Sequence, residues 1–309
     1  MAVAHQYGRP HSVIPGFGLT LGYTVSYLSL IVLIPLVALV IRGTNQPWAD
    51  FKAAVFDPRT LIAWRLTFGT AFIASIINAF FGLIVAWVLV RYRFPGRRLL
   101  DAIIDFPFAL PTAVAGLTFS NLYAPQGWMG SLGVHAAQAC NFFFAKLHLA
   151  HRVDPDRFSS LNLQFANTNA GIVIVLVFVG LPFVIRLVQP VLQELDIELE
   201  QAASSLGAGS FTTFRRVIFP EIFPAWLGGL ALAFARSVGE YGSVIFIAGN
   251  IPGKSQIAPQ KIIDFLYGFE NGGEAKATAI GVVLLGASLL VLVLINTLQW
   301  WMRRLETLG

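Results

Sequence analysis

The chain alternates between long apolar runs and shorter polar connections. Each run approaches or exceeds the ~20 residues that a helix needs to cross roughly 30 Å of hydrocarbon. The predicted spans are residues 19–41, 61–90, 99–123, 171–188, 222–248 and 277–301. Pro107 and Pro111 predict that the third span is irregular, and Pro182 predicts a bend in the fourth. The pattern therefore predicts an all-α, polytopic membrane protein with six transmembrane helices.

Composition supports a membrane protein over a soluble one. The 309 residues are 56% hydrophobic and 12% charged, whereas soluble domains carry about 25% charged residues. A single cysteine, Cys140, excludes an internal disulfide and a multi-cysteine metal site. The sequence pI is near 9.6, but the basic residues lie at the ends of apolar runs and form no patch with interleaved aromatic residues. We therefore expect a lipid bilayer, and no nucleic acid, as the surroundings of this chain.

Clustered basic residues predict the topology. The densest cluster, in the short connection after the second span, comprises Arg91, Arg93, Arg97 and Arg98. Arg303 and Arg304 follow the last span, and six crossings place them on the same side as this cluster and the N-terminus. The outer loops hold nearly as many basic residues, but over longer segments, so the positive-inside rule favours cytoplasmic termini. Asp101 and Asp105 are expected to pair with the preceding arginines.

The most informative polar stretch is QAASSLGAGSFTTFRRVIFP, which follows the fourth span. Helix formers run from 194 to 206, and Gly207 is expected to stop or bend that helix. A second short helix should follow, with Phe211 and Phe214 on one side, before Pro220 starts the next helix. The stretch predicts a helix–Gly–helix element at the membrane surface, with small residues that let another protein approach closely.

This element resembles the signature of bacterial ABC-importer permeases, E-A-A-x3-G-x9-I-x-L-P. Here Gln201 stands in place of the glutamate, with Glu200 just before it, and Val217 and Phe219 replace isoleucine and leucine. The resemblance implies that this loop is the coupling helix, which docks on an ATPase subunit. The residues that it implies for ATPase coupling are Gln201, Ala202, Ala203, Gly207 and Pro220.

Charged residues inside the fifth span form a second candidate site. Arg236 and Glu240 are four residues apart and so share one helix face. A charge near the bilayer centre costs about 2.5–3.5 kcal/mol, so both should face protein or a watery cavity. Two interpretations stay open: a structural ion pair, or a translocation path or gate in which Arg236, Tyr241 and Ser243 supply hydrogen-bond donors to an anion.

Further stretches are similar to the sulfate/thiosulfate permease subunits of the CysT type. They are residues 15–36, 106–119, 178–208 and 234–250. The resemblance implies a type I ABC importer permease fold in the bacterial inner membrane. It also implies the pore of an ATP-driven sulfate/thiosulfate importer, with three partners: an ABC ATPase subunit dimer, a second permease subunit in a heterodimer, and a periplasmic sulfate-binding protein. ATP hydrolysis then belongs to a partner, and this chain is not an enzyme.

Other functions are less favoured by the residues. The related molybdate permeases, which the resemblance makes the main alternative together with tungstate permeases, tend to have Phe and Ala where this chain has Tyr241 and Ser243. An ATP-independent transporter or a membrane enzyme is a further alternative. The stretch 248–255, AGNIPGKS, matches a loose nucleotide-binding loop but follows a membrane span instead of a buried strand. His148 and His151 lack a second converging pair, so no metal, cofactor or catalytic residue is expected.

The predicted organisation has four parts. They are a cytoplasmic lead-in at 1–18, a first helix and outer segment at 19–60, a permease core at 61–302, and a cytoplasmic tail at 303–309. Within the core, the coupling loop occupies 194–220 and an extended outer loop occupies 124–169. A short apolar patch at 136–150 is predicted to form an interfacial or re-entrant helix, because it is too short to cross the membrane.

Overall fold

The computed structural model describes residues 17–132, 165–268 and 272–306, with side chains to residue 299. All regular elements in these ranges are helical. Apart from helical residues 128–132 at the edge of the described range, they are in chain order α1 Phe17–Thr44, α2 Trp48–Val55, α3 Pro58–Arg91, α4 Arg97–Ile104, α5 Phe106–Ala109, α6 Thr112–Tyr123, α7 Asn169–Glu194, α8 Ile197–Ser205, α9 Ser210–Val238, α10 Val244–Ala248, α11 Ala258–Tyr267 and α12 Gly273–Glu306. The interfacial or re-entrant helix predicted at 136–150 and the histidines considered as metal ligands lie outside the described residues.

Helices α1, α3, α7, α9 and α12 are each long and apolar enough to cross a membrane. Segment 97–123, the third passage in chain order, is divided into the three short helices α4, α5 and α6. Leu110 is extended, with φ −84° and ψ 128°, because a residue before proline is disfavoured in the helical region. The irregularity predicted from Pro107 and Pro111 is therefore confirmed.

The centre of the bundle is formed by α3, α7 and α9. A Cβ added to Gly82 of α3 would lie 2.8 Å from Val184 Cβ, and one added to Gly229 of α9 would lie 2.7 Å from Val184 Cα. Both glycines therefore let a neighbouring helix approach α7 more closely than any side chain would permit. Large apolar residues such as Leu89 and Ile185 fill the remaining space toward the end of the bundle that carries the 194–220 loop.

Asn78 lies in this packed centre and is fully buried. A polar side chain in a span ordinarily bonds to a neighbouring helix. Neither the Nδ2 nor the Oδ1 atom of Asn78 has a hydrogen-bond partner in the described chain. Its Nδ2 instead lies 2.4 Å from the position of a Cβ on Gly180, so any larger residue at 180 would collide with the amide.

Ion pairs from Arg186 of α7 join the third passage, formed by α4, α5 and α6, to the rest of the bundle. Its Nη1 lies 2.8 Å from Asp101 Oδ1, and its Nη2 lies 2.6 Å from Asp105 Oδ2. Nε donates a further hydrogen bond of 2.8 Å to Asp105 Oδ1, which makes the second contact bidentate. The prediction that these aspartates pair with the arginines before them was wrong, because a cation 81 residues further along the chain reaches Asp105.

The predicted break at Pro220 is absent, since α9 runs without interruption from Ser210 to Val238. A proline inside an α-helix removes one hydrogen bond and its ring collides with the carbonyl four residues earlier. Here a π-helical turn over Phe214–Ile218 precedes the proline, and the Phe219 N–H bonds back to Phe214. The wider turn accommodates the proline ring without ending the helix.

The fifth span ends earlier than the apolar pattern predicts. Helix α9 stops at Val238, and the apolar residues that follow form the separate short helix α10. Between them, the Glu240 carboxylate accepts hydrogen bonds from the Ser243 amide (3.0 Å) and hydroxyl (2.9 Å). The hydrophobic run continues through this turn, so hydropathy alone could not reveal it.

At the opposite end of the bundle from the 194–220 loop, Asp57 begins α3. Its carboxylate accepts hydrogen bonds from the backbone amides of Arg59 and Thr60 and pairs with Lys261 of α11 at 3.2 Å. Partial burial raises the pKa of Asp57, but the Lys261 and backbone hydrogen bonds outweigh that effect and leave the pKa below its ordinary value. The stabilisation from this pair is therefore present at neutral pH and is lost as the pH falls through the lowered pKa.

Candidate functional sites

The first candidate site is the turn that joins α8 to α9. Gly207 has φ +80°, a left-handed conformation that side chains other than glycine rarely adopt. Its N–H bonds to Ser204 at 2.9 Å, and the Ala208 N–H bonds to Ala203 at 3.0 Å. These bonds end α8 in the manner of a glycine C-cap. The predicted helix–Gly–helix element is present, with α8 beginning at Ile197.

The outer face of this turn is open to contact. Gln201 and Ala202 are exposed and Ala203 is partly buried. Leu206 is 89% exposed and Phe211 is 75% exposed, one on each side of the glycine turn. Exposed large apolar side chains on a surface turn are a common feature of protein–protein contact sites. The sequence analysis did not identify Leu206 as a contact residue. Its place directly before the glycine that ends α8 could have indicated an exposed apolar side chain.

The inner face of α8 is tied to the membrane bundle. Glu200 forms an ion pair with Arg91, the last residue of α3, and both side chains are largely buried. Arg91 also lies over the Trp87 ring, 5.5 Å from its centroid, and Trp87 meets Phe214 edge-on at 5.5 Å. Helices α3, α8 and α9 therefore meet at one cluster, in which Glu200 faces the bundle and Gln201 faces outward.

The resemblance found in the sequence implies a transport subunit, in which this pair would join the coupling loop to α3, and exchanging its charges tests that role. Arg91→Glu or Glu200→Arg alone places like charges in a largely buried contact. We expect uptake per mole of inserted protein to fall at least about fivefold, because a coupling free energy of about 1–3 kcal/mol between two sites corresponds to such a change. The double exchange should recover much of the lost uptake. The exposed pair Arg42–Glu274 is the matched control, because exchange of an exposed pair has little effect. Equal losses in the single and double variants would contradict the role.

The second candidate site is the turn after α9. Arg236 Nη1 lies 2.5 Å from Glu240 Oε2, and the side chains of the two residues are 35% and 2% exposed. Glu240 is thus buried, with donors from Arg236 and Ser243 on its two oxygens. Ser243 is fully buried, and its hydroxyl donates a hydrogen bond to Glu240. Tyr241 is partly buried. Of the four candidate path residues, Arg236 and Tyr241 are the ones with accessible surface.

The broken third passage packs directly on this turn. A Cβ on Gly242 would lie 2.3 Å from Thr112 Oγ1, and a Cβ on Gly116 of α6 would lie 2.2 Å from the Ser243 carbonyl oxygen. These glycines bring backbone against backbone where the third and fifth passages are both interrupted. Sequence reasoning missed this meeting point. The glycines were visible, but nothing in the sequence pairs Gly116 with Ser243.

The stretch that matches a loose nucleotide-binding loop follows α10. The hydroxyl of Ser255 would hold the metal ion in such a loop. Here Ser255 is buried, and its hydroxyl donates a hydrogen bond of 2.5 Å to the Ala248 carbonyl. A helix, α10, precedes this turn where a nucleotide-binding loop needs a strand.

Comparison with known proteins identifies the class. Residues 78–307 match the family described as "Binding-protein-dependent transport system inner membrane component". The fold also matches a chain in the crystal structure of a bacterial alginate ABC transporter in complex with alginate pentasaccharide-bound periplasmic protein. That match has a TM-score of 0.66 and 14% identity, and covers 91% of this chain and 92% of that chain. The protein belongs to this family of inner-membrane transport components and has the fold of an ABC importer permease.

Individual relatives are more specific. The chain is 44% identical to the sulfate transport system permease protein CysT of Salmonella typhimurium, over 93% of this chain and 94% of the relative. It is 42% identical to the protein of the same name from Synechocystis, over 91% of this chain and 88% of the relative. The predicted family and the predicted non-catalytic transport subunit are therefore confirmed.

Proposed function

We propose that this chain is the transmembrane pore subunit of an ATP-driven importer of sulfate and thiosulfate. The observation that carries the proposal is the relatedness to sulfate transport permeases along almost the whole of both chains. Two features of the described structure support the proposal. One is the exposed turn between α8 and α9, which we assign to docking, and the other is the polar turn where α9 ends against the interrupted third passage.

The ATPase partner docks on the turn formed by residues 194–220. Gln201, Ala202 and Ala203 form the close-contact face, Gly207 sets the angle between α8 and α9, and Leu206 and Phe211 supply exposed apolar contacts. Pro220 lies in the first continuous turn after the π-helical segment of α9. Closure of an ATPase dimer displaces this turn, and the Arg91–Glu200 pair passes the displacement to α3. The bundle then alternates between inward- and outward-facing states.

The remaining partners complete the importer. A second permease subunit pairs with this chain as a heterodimer, and a periplasmic sulfate-binding protein delivers the anion. A structural neighbour at 14% identity is described in complex with a substrate-bound periplasmic protein, which supports the same kind of delivery here. Arg236 and Tyr241 face the path, while Glu240 and Ser243 hold Arg236 in position.

In the proposed topology the chain crosses the bacterial inner membrane with both termini and the 194–220 loop in the cytoplasm. The boundaries at 1–18, 19–60, 61–302 and 303–309 follow from that arrangement. A cysteine introduced at the exposed Ser204, in a Cys140→Ser background, tests it. A membrane-impermeant maleimide should label inside-out vesicles and spare intact cells. Labelling of intact cells would place the loop on the outer face and overturn the proposal.

Competition for uptake distinguishes the substrate classes. We expect excess thiosulfate to suppress uptake of labelled sulfate in cells that depend on this chain, because both are tetrahedral divalent sulfur oxyanions. Molybdate and tungstate at the same concentration should leave sulfate uptake nearly unchanged. Strong inhibition by low molybdate, with weak inhibition by thiosulfate, would instead assign the importer to molybdate or tungstate.

A further inference from the structure

A groove lies on the surface of the described bundle between α3 and α7, at the end opposite the 194–220 loop. Its volume is about 520 Å³, and its apolar lining comes from Ile62, Leu66 and Ile73 of α3 and Val173 of α7. Ile62 is 44% exposed and Ile73 is 50% exposed, so the apolar wall faces outward from the bundle. On two helices that cross the membrane, such a wall belongs to the surface that acyl chains cover.

Two cations line the same groove. Arg65 and Lys254 both contribute to its lining and are exposed. Neither has an ion-pair partner among the described residues, although acidic side chains are present at this end of the bundle. Asp57 forms an ion pair with Lys261, and Asp264 accepts a hydrogen bond from Gln256. The groove therefore combines an apolar wall with two positive charges that the described chain does not neutralise.

We infer that this groove binds one acidic phospholipid, with its phosphate between Arg65 and Lys254 and its acyl chains against the apolar wall. Arg65 and Ile73 are eight residues apart, which is about 12 Å along a helix. That length carries an acyl chain from headgroup level well into the hydrocarbon. Long cationic side chains near a helix end extend to headgroup level, where they attract the negative charge of an acidic headgroup.

A free oxyanion fits the groove less well than a lipid does. The hydroxyl of Thr70, which also lines the groove, already donates to the Leu66 carbonyl at 2.7 Å. Asn169 adds an amide to the lining, and the rest of the wall is apolar. An isolated sulfate or phosphate would meet two exposed cations and little else, whereas a lipid uses the charged and the apolar parts together.

Native mass spectrometry of the full-length chain, purified from the membrane in mild detergent, tests the inference. With phosphatidylglycerol and phosphatidylcholine added in equal amounts, we expect the chain to retain phosphatidylglycerol preferentially. Arg65→Gln and Lys254→Gln should each weaken that retention about fivefold, and together more. Arg59→Gln is the matched control, because Arg59 is an exposed cation at the same end that does not line the groove. It should leave retention unchanged.

A steric variant separates this groove from general charge attraction. A Cβ on Gly69, which lines the groove, meets nothing within 4 Å, so Gly69→Leu fills the open space and leaves both cations intact. We expect Gly69→Leu to lose the lipid while keeping the thermal unfolding midpoint of the parent. Unchanged retention in Gly69→Leu, equal retention of the two lipids, or displacement of phosphatidylglycerol by millimolar sulfate would each overturn the inference.

Discussion

A chain in which Arg236 and Glu240 are both replaced by glutamine is expected to insert and fold, but to support less than about a tenth of normal sulfate uptake. Replacing both partners removes the two charges together, and so avoids the uncompensated buried charge that makes the loss of one partner costly. The partly exposed Arg236 guanidinium is the cation that the proposal places beside the anion path. Its loss removes the favourable interaction with a passing dianion, while the fold keeps its shape.

The single variants separate the structural role of this pair from its role in transport. Arg236→Gln alone leaves the Glu240 carboxylate, which is 2% exposed, with the Ser243 donors only. Removing one partner of a buried pair costs about 3–5 kcal/mol, and partial exposure of Arg236 places the expected cost at the lower end. We expect a large drop in the amount of folded protein, measured by fluorescence-detected gel filtration. Ser243→Ala removes only the hydroxyl donor to Glu240, so we expect a smaller drop in the amount of folded protein. Normal uptake by the double glutamine variant would show that the pair is structural only.

Replacing Gly207 with tryptophan is expected to abolish uptake while the importer still hydrolyses ATP. At φ +80° any side chain is strained, at a cost of roughly 1–2 kcal/mol. A large ring on the exposed turn would also separate α8 from the ATPase surface. ATP hydrolysis and sulfate uptake, measured on the same purified complex, should therefore become uncoupled.

Gly209 provides the matched control, because it lies two residues further along the same turn with φ −71°. A Cβ at either glycine meets nothing within 4 Å. Gly207→Ala and Gly209→Ala therefore add the same methyl group to open space and differ only in backbone strain. We expect Gly207→Ala to lower uptake and Gly209→Ala to leave it near normal. Equal behaviour of the two alanine variants would show that the left-handed turn is not required.

The bundle's spans could be read from the sequence because they follow from local properties. A long apolar run must form a helix in lipid, since its backbone has no other partner. The stop at Gly207 and the interruption before Pro111 likewise depend on the conformational limits of single residues. The continuous helix through Pro220 could not be predicted, because it depends on a π-helical turn that the sequence does not signal.

The ion pairs could not be predicted, because they depend on which helices become neighbours. Glu200 meets Arg91 across 109 residues, and the partner of Asp101 and Asp105 proved to be Arg186. The same limit hid the meeting of Gly116 with Ser243, which brings the third and fifth passages together. Hydropathy also placed the end of the fifth span too late, because the turn around Glu240 lies within one apolar run.

Sulfate uptake into sealed vesicles tests the central claim most directly. The complete complex is reconstituted into proteoliposomes with ATP sealed inside, and labelled sulfate is supplied outside with the sulfate-binding protein. Accumulation that requires ATP, and that disappears in the Gly207→Trp variant, is the predicted result. Sulfate movement by this chain alone, without nucleotide or any partner subunit, would contradict the account.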